Sequence, residues 1–185
     1  MKVDEFDSII FDCDGVLIDV TKSYDTTINK TISYVLKEIA DITVNTPLTN
    51  EILLKFKSTG GFNDEIDITY SGTLCYIAAK KLNKNPTELI LDVLNYADDS
   101  GITYIENFLN KIDVDIADVK SRLDYPSADK NDLIHATFDQ LFFGPELYSK
   151  IFQKESKFSE KGFIENDDVI VNSELIEELK KKFND

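Results

Sequence analysis

Asp12 and Asp14 stand two residues apart in the run Ile9-Ile10-Phe11-Asp12-Cys13-Asp14-Gly15-Val16-Leu17, directly after a short apolar stretch. Carboxylates at that spacing, in a turn that leaves a strand, can converge on one small space, and the backbone N–H groups of Cys13, Asp14 and Gly15 can form a nest for a dianion. The two acids repel each other unless a divalent cation lies between them. Mg²⁺, which prefers carboxylate and phosphate oxygens, meets that need, so both aspartates are expected metal ligands. The chemistry of such a loop is phosphoryl transfer. Asp12 can attack phosphorus in line to give an aspartyl-phosphate. Asp14 can protonate the leaving alkoxide and later deprotonate the water that hydrolyses the acyl-phosphate. Gly15 lets the backbone turn close to the substrate with no side chain in the way.

The elements that must hold this loop can be read from periodicity. Ser8-Ile9-Ile10-Phe11 is too short for a helix and predicts a buried strand. From Thr21 the spacing changes: Tyr24, Ile28, Ile32, Val35, Leu36 and Ile39 predict a long amphipathic helix over about Thr21–Ala40, with Thr21 or Ser23 as N-cap. Helical stripes then continue along most of the chain. Thr49 caps one that carries Ile52, Leu53 and Phe56 and stops at Gly60-Gly61. Asn85-Pro86 opens another, and Gly144-Pro145 separates Ile134-to-Phe142 from Leu147-to-Phe152. Ser173 is expected to cap a last helix whose acids come early and lysines late. Asp168–Val171 reads as a second short strand. The sheet that a strand at Ser8–Phe11 requires is otherwise mostly missing.

With 42% hydrophobic and 30% charged residues in 185, the composition is that of a globular chain. Lys+Arg 20 against Asp+Glu 35 gives a formal charge of −15, which repels nucleic-acid phosphates and excludes nucleic acid as a partner. Cys13 and Cys75 lie far apart and His135 is the one histidine, so no zinc cage is expected. An acidic N-terminus and the absence of a span-length apolar run point to a cytoplasmic protein with free thiols and no membrane partner. His135 reads as a surface or boundary residue, and Tyr104, Phe138, Phe142, Tyr148 and Phe152 as core. Cys13 is expected to act through its backbone rather than its thiol.

The string Phe-Asp-Cys-Asp-Gly-Val-Leu-Ile-Asp, residues 11–19, resembles motif one of the haloacid dehalogenase superfamily. Its phosphotransferring members have the second aspartate and its dehalogenases lack it, so Asp14 favours phosphoryl transfer. The helices that follow resemble the cap of phosphoglycolate-phosphatase-like members, and Phe56-Lys57-Ser58-Thr59-Gly60-Gly61-Phe62-Asn63-Asp64 resembles the loop such caps lower onto the active site. The resemblance implies an α/β Rossmannoid core, only partly present, with a large α-helical cap. Residues 1–18 would begin the core, 19–165 form the cap and 166–185 return to the core. It implies a Mg²⁺-dependent phosphatase acting on a small phosphorylated metabolite, with the Asp14 backbone carbonyl also on the metal and Lys57, Gly61 and Asn63 bordering the substrate.

The family also uses a Ser or Thr after a second strand, a later Lys or Arg and a further acidic pair. The last helix resembles the one before that second strand, so these motifs are implied to lie beyond Asp185 and the chain to be truncated. Ser173 and the Asp167-Asp168 pair occur in the wrong order to replace them, and read as a helix cap and a solvated turn. Two other readings stand beside the phosphatase: a sugar phosphomutase of the same superfamily, and a catalytically incomplete cap fragment acting as a non-enzymatic helical module.

Overall fold

Eight α-helices and a single two-stranded pair account for the regular structure of residues 8–128 and 130–183, which are those that the computed structural model describes. The helices are α1 (Thr21–Ala40), α2 (Asn50–Ser58), α3 (Glu65–Leu82), α4 (Pro86–Leu94), α5 (Ile102–Lys111), α6 (Ala117–Leu123), α7 (Leu133–Phe152) and α8 (Ser173–Phe183). A 3-10 turn spans Phe163–Asn166. Strands β1 (Ile18–Asp19) and β2 (Asp168–Val169) pair antiparallel, with Ile18 opposite Val169. The chain is largely helical, as its periodicity predicts.

α3 is the centre of the packing. Every residue from Ile68 to Ala79 is buried, so this helix is covered on all sides, by α1, α4, α5 and α7. α1 turns Ile28, Ile32, Val35 and Leu36 inward against α3 and α7, and α2 adds Ile52, Leu53 and Phe56. The start signals work as side-chain acceptors: Thr49 Oγ1 takes the Ile52 N–H and Asn85 Oδ1 the Glu88 N–H. At Gly144 the backbone leaves helical geometry (φ 70°, ψ 170°), which splits α7 in two where Gly-Pro predicts a break. A Cβ there would lie 2.3 Å from the Gly162 backbone nitrogen, so the two chain segments cross too closely for any other residue.

Three expectations are corrected. Ser8–Phe11 forms no strand, and Ile10 is 97% exposed. A strand needs a ladder partner, and the described residues supply only β2, which pairs with β1 instead. A Rossmannoid sheet is accordingly not found among the described residues. The N-cap of α1 is Val20, which has no side-chain cap bond, and Asp19 one residue before it accepts the Thr21 N–H on Oδ1 at 3.0 Å; α8 is capped by Asn172, whose Oδ1 accepts the Leu175 N–H at 2.7 Å. Each lies upstream of the residue expected, because Thr21 and Ser173 already have helical backbone.

Candidate active site

The Asp12–Gly15 turn is organised around one carbonyl. Cys13 O accepts the N–H groups of Val16, Leu17 and Ile18 at 3.3, 2.8 and 3.1 Å, which winds the chain back on itself directly after the two aspartates. Gly15 makes this possible with φ +74°, a left-handed conformation that costs other residues free energy. Ile170 N–H to Leu17 O (3.0 Å) and the Lys22–Asp168 ion pair (2.8 Å) then tie the turn to the β2 segment. That ion pair is exposed at both ends and contributes little by itself.

Asp12 and Asp14 are both exposed. Asp12 Oδ1 accepts the Cys13 N–H at 2.8 Å, which fixes one carboxylate oxygen and leaves the other toward solvent. The Gly15 N–H donates to Ile18 O at 2.7 Å. Two of the three amides expected to cradle a dianion therefore have internal acceptors, and neither is free to hold a phosphate as the turn stands.

Above Asp14 lies Tyr24, which helical spacing alone marks as a core residue. Its ring stacks face to face on Phe142, with centroids 5.0 Å apart and 2° between planes, and its hydroxyl is 3.5 Å from Asp14 Oδ2. Burial, reinforced by the charges of Asp14, Glu65 and Asp167, pushes the phenol up to about 12, so the hydroxyl stays protonated at neutral pH.

Lys57, at the end of α2, faces two half-buried carboxylates from other helices: its Nζ is 3.9 Å from Asp25 Oδ1 on α1 and 3.7 Å from Glu65 Oε1 on α3. Burial raises the pKa of both acids, with Lys57 opposing the rise. Asp25 Oδ1 is buried without a hydrogen bond, as is Asp167 Oδ1. Spacing could not reveal this cluster, because its members come from three helices. Gly61 has a packing duty: a Cβ there would lie 2.6 Å from the Gly101 backbone nitrogen. Phe62 beside it is buried against Phe56, while Asn63 is exposed. The structure thus keeps Asp12 and Asp14 on one exposed turn with the Tyr24 hydroxyl of α1 against Asp14, sets Lys57 against Asp25 and Glu65, and uses Gly61 to join two loops.

His135 departs from expectation. It is 6% exposed, its Nδ1 lies 2.7 Å from Asp132 Oδ2, and its ring packs near Tyr125. The Asp132-x-x-His135 spacing at a helix start was the readable clue, since Asp132 also caps α7 by accepting the His135 N–H at 2.9 Å.

A magnesium site can be tested against these donors. Two exposed hard-oxygen carboxylates on one turn suit an ion that is commonly held by one or two carboxylates, with water and phosphate completing its shell. No group of three or more His, Cys, Asp or Glu side chains suited to a metal exists among the described residues, so the turn fits a shared site and not a closed protein cage. No helix among those residues is long and apolar enough to cross a membrane.

No protein-family model and no curated protein matches the chain. One solved structure matches in fold: phosphatase Tt82 from Thermococcus thioreducens, at 21% identity and a TM-score of 0.61, covering 92% of this chain and 57% of that one. The likeness is one of fold. The chain spans a little over half the length of that phosphatase.

Proposed function

We propose that this protein is a Mg²⁺-dependent phosphatase of the haloacid dehalogenase type, hydrolysing a small organic phosphomonoester of the phosphoglycolate kind through an aspartyl-phosphate on Asp12. The observation that carries the reading is the Asp12-Cys13-Asp14-Gly15 turn, wound around the Cys13 carbonyl and followed by a helical domain similar in fold to a known phosphatase.

In this reading, the Asp12 carboxylate oxygen not engaged by the Cys13 N–H attacks phosphorus. The new O–P bond forms as the bond from phosphorus to the leaving oxygen breaks, and the Asp14 carboxyl gives its proton to that oxygen. Asp14, now ionised, takes a proton from water. The resulting hydroxide hydrolyses the acyl-phosphate, freeing phosphate and restoring Asp12. Held by the Asp12 carboxylate and the Asp14 backbone carbonyl, magnesium would offset the repulsion between a carboxylate nucleophile and an anionic phosphate, leaving the Asp14 carboxyl to its proton-transfer role. Lys57, Gly61 and Asn63 are assigned to the border of the leaving group, with Lys57 oriented by Asp25 and Glu65.

The test is phosphate release from p-nitrophenyl phosphate by the full-length protein, with magnesium and after chelation with EDTA. Turnover that disappears on chelation and returns with added magnesium is the expected result. Absence of release in the presence of magnesium, or release indifferent to EDTA, contradicts the assignment.

A further inference from the structure

Tyr24 and Asp14 belong to different parts of the molecule: the tyrosine to the first turn of α1, the aspartate to an exposed turn ten residues earlier. A carboxylate on such a turn has rotamer freedom, and general-acid catalysis is efficient only when the proton is delivered along one direction. Among the described residues, the side-chain contact that can restrict Asp14 is the Tyr24 hydroxyl, 3.5 Å from Oδ2. That hydroxyl is itself held in place, because the parallel stack on Phe142 fixes the ring plane and Phe142 is anchored in the core.

We propose that Tyr24 is the positioning residue for Asp14, aiming its carboxyl at the leaving oxygen of the substrate. The proposal rests on the reading of Asp14 as general acid. In the transfer step the O–P bond to the leaving group breaks and the Asp14 proton moves to the departing oxygen. The phenol proton stays on Tyr24, which neither gains nor loses one. Packing does not explain the hydroxyl: a phenylalanine would stack on Phe142 equally well, and at a half-buried position without a role for the OH it would bury more favourably.

The experiment compares Tyr24→Phe with the unmodified full-length protein on two substrates, a simple alkyl phosphate and p-nitrophenyl phosphate. The measured quantity is kcat/KM, which reports the steps up to departure of the leaving group and not the later hydrolysis of the aspartyl-phosphate. An alkoxide needs the proton from Asp14, whereas p-nitrophenolate leaves without it. The variant is expected to lose about 10-fold on the alkyl phosphate, part of the ~10²–10⁴-fold that a positioned acid supplies, and less than about 2-fold on the aryl phosphate. Equal losses on the two substrates, or no loss on either, overturn the assignment of Tyr24 while leaving the phosphatase reading intact. Failure of the unmodified protein to hydrolyse either substrate overturns that reading, and this proposal with it.

Discussion

Replacing Asp12 with asparagine is expected to lower kcat on any phosphomonoester by at least about 10³-fold, because removing the nucleophile of a covalent mechanism takes away its first step. The substitution keeps the shape of the side chain and retains an acceptor for the Cys13 N–H, which at 2.8 Å sets the rotamer of Asp12. Fold and turn geometry should therefore survive, and thermal unfolding of the variant should match that of the parent protein. Asp12 is exposed and makes no ion pair among the described residues, so its loss has little to cost in stability. A variant that folds normally yet retains turnover within 10-fold of the parent would show that phosphorus is attacked by some other group.

The second large effect is on stability and falls on Asp132. Its side chain is wholly buried and receives the His135 backbone N–H at 2.9 Å, the Ser127 hydroxyl at 2.7 Å and the His135 ring at 2.7 Å. Asp132→Ala removes the N-cap of α7 and leaves a half-buried hydroxyl and a buried imidazole without their acceptor. The expected cost is about 3–5 kcal/mol, to be read from urea unfolding at pH 7. A loss below about 1 kcal/mol would show that the network contributes no more than a surface ion pair.

The same residue has a signed pH dependence. Burial pushes the Asp132 carboxyl up, but the bonds from the His135 N–H, the Ser127 hydroxyl and the His135 ring outweigh it, so its folded pKa lies below the ordinary 3.8. A depressed carboxyl contributes stability that is present above the ordinary value and lost as pH falls through the folded one. The unmodified protein should lose this contribution only in strong acid, and Asp132→Ala should have a flatter stability profile there. Asp67, bonded by the Tyr125 hydroxyl, and Asp139 have the opposite sign. Burial raises both, so what they contribute declines as pH rises above the ordinary carboxylate value.

The helices were legible because their information is local. Asn85-Pro86, Thr49 and Gly144-Pro145 act within one turn of chain, and a buried stripe such as Ile28-Ile32-Val35-Leu36 needs only its own spacing to be recognised. The strand expected at Ser8–Phe11 failed for the converse reason. An apolar run becomes a strand only when another segment offers a ladder, and nothing in four residues states whether one is present. At the candidate site, Asp12 and Asp14 were legible because they share one turn. Tyr24 was legible as a helical residue but not as a neighbour of Asp14. The Asp25–Lys57–Glu65 cluster was hidden because α1, α2 and α3 meet there only after folding.

The central claim, covalent phosphoryl transfer to Asp12, is tested most directly by trapping. The full-length protein is mixed with magnesium and a phosphomonoester, reduced with borohydride during turnover, and analysed by peptide mass spectrometry. Reduction of an aspartyl-phosphate leaves homoserine in place of the aspartate, and the account predicts that conversion at position 12 alone, dependent on substrate. Homoserine at another aspartate, or none at all while phosphate continues to be released, would contradict it.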